Sequence, residues 1–176
     1  MIAVVMAGGR GSRLGGAEKA MLDICGSPLI ERVIKPLSNH KIIIAVSPNA
    51  PNTIRWCMKH ELDTVMTSGD DYSLDLGVLM RIIRKPFLVM PVDLPFIYEA
   101  VLKFEERAMH LDASIITLLV HRNGGEEPIG ISLIKGEGTD WINIVMDESI
   151  ELMDIDYPSD LERAVNKCKS DWKREK

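Results

Sequence analysis

The sequence predicts an α/β fold of three layers, in which helices cover both faces of a mostly parallel sheet. Four short apolar runs are rich in Ile and Val and are bounded by Gly, Pro, Asn or Asp, which is typical of buried strands. These runs are residues 2–7, 42–46, 87–92 and 115–120. Segments with helical spacing lie between the runs, and alternating strands and helices produce parallel strands joined by helical crossovers.

The helices are predicted from apolar residues that recur three or four positions apart. The first spans residues 29–37, and Pro28 before it suits the first position of a helix. The same spacing continues over residues 76–83 and opens a third helix at residues 97–105. These helices are long enough to serve as the crossovers between the predicted strands.

The second half of the chain has a weaker pattern. Residues 64–66, 129–134 and 151–155 are predicted as further strands, and a final helix begins near Ser159. The apolar stripe of that helix predicts docking on the domain core or, alternatively, a homodimer interface. The chain has 176 residues, the size of one domain, so residues 1–170 are predicted to form that domain and residues 171–176 a frayed tail.

Composition and charge exclude several classes of protein. The net charge of −5 argues against a broad nucleic-acid surface, because such surfaces bind by neutralising phosphates. No apolar run approaches the roughly 18 residues of a membrane span, and the amino terminus lacks the pattern of a signal peptide. The three cysteines lie far apart without metal-ligand spacing, which favours three reduced thiols in a cytoplasmic protein.

The strongest signal is the loop after the first strand, where residues 7–19 read AGGRGSRLGGAEK. Glycine permits positive φ and lets the backbone approach a ligand closely, and successive exposed amides form a concave site for an anion. Arg13 and Lys19 supply two cations beside those amides. The loop therefore predicts a site for a nucleoside triphosphate, and the alternative is a flexible surface loop.

Two familiar phosphate-binding motifs do not fit this loop. The dinucleotide pattern GxGxxG fails because Leu14 stands where the third glycine belongs. The Walker A pattern fails because Ala17 stands where a lysine is required. The loop thus predicts neither a nicotinamide cofactor nor a P-loop.

Carboxylates later in the chain suggest a metal site. Asp93 ends the apolar run 87–92, and Mg²⁺ prefers one or two carboxylates together with substrate phosphates. The alternative is that Asp93 caps the helix that follows. Period-two alternation places Asp154 and Asp156 on one face of the predicted strand, where they complete the metal site or face solvent.

The loop 7–19 resembles the signature AGGxGxRxGxxK of the MobA-like nucleotidyltransferases, which have a Rossmann-like fold. The segments SPNAPNT, TSG, PVDLPF and PIGIS follow in order from residue 47 to residue 132. This combination, over residues 2 to about 165, most resembles the archaeal guanylyltransferases that transfer GMP from GTP to adenosylcobinamide phosphate in cobalamin biosynthesis. Molybdenum-cofactor guanylyltransferases, sugar- or alcohol-phosphate nucleotidyltransferases and a non-enzymatic nucleotide-binding regulator are the alternatives.

The resemblance also implies roles for individual residues. The residues implied to bind the nucleotide are Ala7, Gly8, Gly9, Gly11, Arg13, Lys19, Ser47, Pro48, Ser68 and Gly69. The implied catalytic residues are Arg13, Lys19 and Asp93, with Mg²⁺ held by Asp93 and Asp156 and the acceptor passing close to Gly130. The family often has Asn where this chain has Asp154 and Asp156, so that segment either hydrogen-bonds substrate or binds a second metal.

The implied reaction needs no general base. A phosphate oxygen of the corrinoid acceptor attacks the α-phosphorus of GTP in line, and pyrophosphate leaves. Since the second pKa of a phosphate monoester is about 6, the attacking oxygen is already anionic near neutral pH. Positioning and neutralisation of charge by Arg13, Lys19 and Mg²⁺ are then expected to provide the catalysis. The expected partners are these two small molecules, with no nucleic acid and no membrane span.

Overall fold

A single seven-stranded sheet organises the chain, and the computed structural model describes residues 1–122 and 124–174. The strands of this sheet are β1 (Ile2–Met6), β4 (Lys41–Val46), β5 (Asp63–Met66), β6 (Phe87–Pro91), β7 (Ile115–Arg122), β8 (Gly125–Ile134) and β9 (Trp141–Asp147). Their spatial order is β5-β4-β1-β6-β8-β7-β9. Strands β2 (Asp23–Ile24) and β3 (Ser27–Pro28) form a separate small hairpin.

The central strands are parallel and in register. Val4 of β1 lies opposite Ile43 of β4 on one side and opposite Val89 of β6 on the other. Of the seven strands, β8 runs antiparallel to both of its neighbours. The carboxyl ends of β5, β4, β1 and β6 consequently meet at one edge of the sheet, which is where open α/β sheets bind ligands.

Five α-helices complete the three predicted layers over the described residues. They are α1 (Leu29–Ile34), α2 (Pro51–Lys59), α3 (Tyr72–Ile82), α4 (Tyr98–Met109) and α5 (Pro158–Arg174). Leu79 of α3 packs with Val4 on one face of the sheet. The other four helices pack on the opposite face, where Phe104 of α4 lies in the same core cluster as Val5. The predicted α/β fold with a mostly parallel sheet is therefore confirmed. None of the helices described is both long enough and apolar enough to span a membrane.

The structure departs from the predicted elements at residues 51–59 and again in the second half of the chain. Residues 151–155 do not form a strand: Ile150–Leu152 is a 3₁₀ turn, and the segment bonds to its neighbour through the Ile155 amide, which donates to the Asp93 carbonyl at 3.0 Å. Helix α2 and edge strand β9 were not predicted. The apolar residues Trp141 and Val145 of β9 are exposed, so this strand lacks the simple alternation that marks a half-buried strand.

The prediction of three reduced thiols is wrong. Cys25, in the turn between β2 and β3, forms a disulfide with Cys168 of α5, and Cys57 is free and buried. The two paired cysteines are 143 residues apart in the chain. They meet because α5 buries Ala164 against the core and docks beside the hairpin. Helix α5 continues through the first four residues of the predicted tail, and residues 175–176 lie outside the described part of the chain.

Candidate active site

A cleft of about 360 Å³ opens at the carboxyl ends of β1 and β6. The loop after β1 forms one wall, the segment after β5 forms the other, and the end of β6 closes the floor. Seven of the residues predicted for the site line this cleft. They are Ala7, Gly8, Gly9, Gly11, Lys19, Gly69 and Asp93.

The glycine loop is held in one conformation by its own backbone. Gly11 has φ 58°, and its carbonyl accepts hydrogen bonds from the amides of Leu14 at 2.9 Å and Gly16 at 3.0 Å. A β-carbon at Gly11 would collide with the Ala17 carbonyl oxygen. The loop therefore needs glycine at position 11 for its conformation and for space.

Ser47 at the end of β4 supports this loop from below. The Ser47 side chain is completely buried, and its hydroxyl donates to the Gly8 carbonyl at 2.5 Å. Pro48 and Ser68 are exposed and do not line the cleft. The role of these three residues at the base and ribose stays a prediction.

Asp75, which the sequence analysis did not single out, anchors the opposite wall. Its buried carboxylate accepts hydrogen bonds from the Ser68 amide at 2.9 Å, the Ser68 hydroxyl at 2.8 Å and the Gly69 amide at 2.9 Å. Burial alone would raise the pKa of Asp75, but these donors outweigh burial and lower it. The available signal was the run of polar residues 67–71 followed by a carboxylate inside an apolar helix.

We expect Asp75→Asn to lower the free energy of unfolding at pH 7 by about 1–3 kcal/mol, the usual cost of leaving buried donors without their acceptor. Because the folded-state pKa lies below the unfolded one, the ionised carboxylate stabilises the fold above about pH 4 and loses this effect as the pH falls. Urea denaturation of both proteins at pH 7 and pH 3 measures the difference. If the wild type and Asp75→Asn differ in free energy of unfolding as much at pH 3 as at pH 7, this account is contradicted.

Lys19 stands at the centre of an ion cluster at the floor of the cleft. Its ammonium lies 3.0 Å from Asp93 Oδ2 and 2.5 Å from Asp156 Oδ1. The other Asp156 oxygen pairs with Arg13 Nη1 at 2.7 Å, and the Arg13 guanidinium lies 5.5 Å from the ring centre of Tyr157. The fold thus brings together Arg13, Lys19, Asp93 and Asp156, whereas Asp154, the other carboxylate considered for the metal site, pairs with Arg122.

The cluster shifts the pKa of each partly buried member. Burial would lower the pKa of Lys19, but the charges of Asp93 and Asp156 outweigh it and raise the pKa. Burial raises the pKa of Asp93 in spite of Lys19. Burial would also raise the pKa of Asp156, but the bonds from Lys19 and Arg13 outweigh burial and lower it. Lys19 is therefore charged at neutral pH, and the local pairs offset the cost of burying that charge.

The donor set at this cluster fits Mg²⁺ that is bound jointly with a phosphate ligand. Asp93 and Asp156 both approach the Lys19 ammonium, so the two carboxylates are close enough to share one cation. Among the described residues there is no group of three or more His, Cys, Asp or Glu side chains arranged around a metal. Mg²⁺ commonly uses one or two carboxylates and completes its shell with phosphate oxygens and water.

Gly130 lies beside the cleft and not in its lining. Its φ is 81°, and a β-carbon there would come within 3.3 Å of the Pro91 ring. The Gly130 carbonyl accepts a hydrogen bond from the Tyr72 hydroxyl at 2.9 Å. Tyr72 lines the cleft, so this bond ties the wall that follows β5 to strand β8, and contact between Gly130 and an acceptor stays a prediction.

A second, larger cleft of about 650 Å³ lies on the other side of Asp156. Arg122 on its wall bonds to Asp154 Oδ1 at 3.1 Å and to the Leu152 carbonyl. The lining also includes Tyr157 and Arg163. Because Asp156 lines this cleft and also contacts Lys19 in the first, the two clefts adjoin at the ion cluster.

Comparison with known proteins agrees with this geometry. Residues 3–139 match the family model described as the MobA-like NTP transferase domain. The adenosylcobinamide-phosphate guanylyltransferase of Methanocaldococcus jannaschii is 40% identical over 102 residues, which is 53% of this chain and 52% of that protein. The molybdenum cofactor guanylyltransferase of Vibrio atlanticus is 44% identical over 46 residues, 26% of this chain and 24% of that protein. The matched region thus spans about half of the Methanocaldococcus jannaschii protein and about a quarter of the Vibrio atlanticus protein.

Solved structures share the fold over nearly the whole chain. The molybdopterin-guanine dinucleotide biosynthesis protein A of Archaeoglobus fulgidus has a TM-score of 0.69 at 19% identity, covering 97% of this chain and 100% of that one. The CMP:2-keto-3-deoxy-manno-octonic acid synthetase complexed with CTP has a TM-score of 0.70 at 15% identity, covering 97% and 98%. The family model matches residues 3–139, and the glycine loop and the ion cluster lie in one cleft. The chain therefore belongs to the MobA-like NTP transferase domain family.

Proposed function

We propose that this chain is a guanylyltransferase that transfers GMP from GTP to adenosylcobinamide phosphate, releasing pyrophosphate and forming adenosylcobinamide-GDP. The observation that carries the proposal is Lys19, which lies in a glycine-lined cleft between Asp93 and Asp156. The similarity to the Methanocaldococcus jannaschii enzyme over about half of each chain supports the choice of substrates. This reaction would give the protein GTP-binding activity and a place in cobalamin biosynthesis.

The triphosphate would lie along the glycine loop. Gly8, Gly9 and Gly11 line the cleft, and their backbone amides would offer partial positive charge to the phosphate oxygens. Lys19 stands at the end where the loop meets Asp93. Its charge would neutralise the oxygens on which negative charge grows as pyrophosphate departs.

Arg13 would change partners on binding. In the free protein it pairs with Asp156, and its side chain is 59% exposed. An exposed pair of this kind contributes little stability, so Arg13 can turn toward the triphosphate at small cost. Asp156 then retains Lys19, which keeps the ammonium in place as the substrate enters.

Asp93, with Asp156 beside it, would hold the magnesium ion through carboxylate oxygens. The ion would supply positive charge and so lower the repulsion between two anionic reactants. Lys19 already reduces the electrostatic repulsion between the two carboxylates. The acidic groups can therefore sit next to a triphosphate without excluding it.

The second cleft would receive the acceptor. It is larger than the nucleotide cleft and shares Asp156 with it. Arg122 and Arg163 on its wall can bind the acceptor phosphate, and the carboxylates of the lining can accept hydrogen bonds from amide groups of a corrinoid. This placement would bring the attacking phosphate to the side of the ion cluster that faces away from the glycine loop.

We expect Asp93→Asn to weaken the apparent affinity for Mg²⁺ roughly 10- to 100-fold, the loss that even an outer partner of a bound metal produces. Asparagine has the shape of a protonated aspartate, so the fold should be retained. Turnover measured against Mg²⁺ concentration tests this effect. Asp63→Asn, which removes a surface carboxylate paired with Lys41, is the matched control. If Asp93→Asn responds to Mg²⁺ as the wild type does, Asp93 does not bind the ion and has only a structural role.

Release of pyrophosphate tests the reaction directly. The protein is incubated with Mg²⁺, one of the four nucleoside triphosphates, and one acceptor phosphate at a time. Fast release is expected only with GTP and adenosylcobinamide phosphate together. Equal or faster release with molybdopterin would instead favour a molybdenum-cofactor guanylyltransferase, the activity named for the Vibrio atlanticus relative. Cytoplasmic localisation and a homodimer stay predictions.

A further inference from the structure

Two charged side chains of the nucleotide cleft have no part in the mechanism above. Arg10 and Asp70 both line the cleft, and they come from opposite walls. Arg10 Nη2 lies 2.6 Å from Asp70 Oδ1, and the side chains are 64% and 60% exposed. By contrast, the carboxylate of Asp75, which also lines the cleft, already accepts hydrogen bonds from the amides of Ser68 and Gly69.

The pair lies toward the end of the cleft where a base would sit. Asp70 follows Gly69, and a β-carbon at Gly69 would collide with the Gly8 carbonyl and the Ser47 side chain. Gly69 is thus packed over the ends of β1 and β4. Asp93 follows β6, about 10 Å from β4 at the usual strand spacing. A nucleotide whose phosphates reach Lys19 therefore extends its base toward Arg10 and Asp70.

The pairing leaves both groups with unused hydrogen-bonding capacity. The single short contact uses one oxygen of Asp70 and one nitrogen of Arg10. A carboxylate accepts about four hydrogen bonds and a guanidinium donates five. Since the pair is exposed and exposed pairs contribute little stability, both side chains can rearrange around a ligand.

The hydrogen-bonding pattern of the pair complements guanine. The Watson–Crick edge of guanine presents two adjacent donors, the N1 hydrogen and the 2-amino group, followed by the O6 acceptor. A carboxylate accepts from both donors, and a neighbouring guanidinium donates to O6. Adenine presents a lone pair at N1 instead, which the carboxylate repels, and neither cytosine nor uracil carries two adjacent donors.

We propose that Arg10 and Asp70 read the base of the nucleotide: Asp70 accepts from N1 and the 2-amino group, and Arg10 donates to O6. The cleft is then selective for guanine nucleotides. This inference rests on the proposed function for the identity of the substrate. It adds the side chains that select the base, which the backbone amides of the glycine loop cannot do.

Equilibrium binding of GTP, ITP and ATP in the presence of Mg²⁺ tests the inference, because ITP lacks only the 2-amino group. The wild type is expected to prefer GTP over ITP and ITP over ATP. Asp70→Asn is expected to weaken GTP binding about 10- to 100-fold, as loss of a bidentate base contact does, and to bring GTP and ITP within about twofold. Arg10→Gln is expected to weaken GTP and ITP alike, since both carry O6.

The adjacent residue provides the matched control. Asp71 caps α3 by accepting the Leu74 amide at 2.9 Å and does not line the cleft. Asparagine is also a good cap, so Asp71→Asn should leave the GTP-to-ITP ratio unchanged. An unchanged ratio in folded Asp70→Asn would overturn the inference. Selective binding of GTP by a wild type that releases no pyrophosphate with the corrinoid acceptor would refute the proposed reaction alone.

Discussion

Lys19→Ala lowers the rate of pyrophosphate release by an expected 100- to 1,000-fold, the range observed when one preorganised electrostatic group is lost. Lys19 contacts both carboxylates at the floor of the cleft. Without it, Asp93 and Asp156 face the incoming triphosphate as uncompensated negative charges. The loss should fall mainly on turnover, because the loop amides and Arg13 still bind the triphosphate.

Single-turnover release at saturating GTP and acceptor measures this loss, with the affinity for GTP determined separately. Lys103→Ala is the matched control, since Lys103 is an exposed lysine paired with Glu99 at 3.5 Å on α4. The control should retain wild-type turnover. Turnover of folded Lys19→Ala within about threefold of the wild type would be far below the predicted loss and would remove Lys19 from the mechanism.

Gly69→Ala is expected to lower the affinity for GTP by at least about 100-fold and to destabilise the fold by roughly 2–4 kcal/mol, as strained or overpacked buried sites do. Gly69 has φ 71°, and a β-carbon would collide with the Gly8 carbonyl and with Ser47. To avoid these collisions, the two walls of the cleft would have to move apart. Calorimetric titration with GTP and denaturation by urea measure the two effects.

A glycine-to-alanine substitution in α3 is expected to have the opposite effect on stability. Gly77 lies inside α3, and a β-carbon there would meet no atom within 4 Å. Gly77→Ala should raise stability by about 0.5–1 kcal/mol, because alanine is the better helix former. Wild-type GTP affinity in Gly69→Ala would show that this wall can move without affecting the nucleotide.

The strands of the sheet were largely predictable, because each buried strand carries its own local signal. The apolar runs that form β1, β4, β6 and β7 carry apolar residues on both faces of the sheet, as strands covered by helices on both sides must. Edge strand β9 gave no such signal, since Trp141 and Val145 are exposed. Asp154, Ile155 and Asp156 alternate in polarity as in a strand, yet the segment 151–155 bonds to its neighbour through the Ile155 amide and forms no continuous ladder.

The site was predictable in its residue types and not in its contacts. Gly11 and Lys19 belong to one short loop, so their spacing in the chain was informative. Asp156 lies 137 residues from Lys19, and no local pattern could show that the two side chains meet. Asp75 was missed because the polar run 67–71 and the carboxylate that follows it in α3 do not identify the amides that donate to that carboxylate.

The sequence by itself determined the layered α/β architecture and the phosphate-binding loop, because both arise from residues close together in the chain. The tertiary structure decided how the charges pair: Lys19 between Asp93 and Asp156, Arg10 with Asp70, and the Cys25–Cys168 disulfide. Each of these contacts joins segments that are at least 60 residues apart. Which partners meet is set by the order of strands in the sheet and the docking of α5, which become defined only when the whole domain packs.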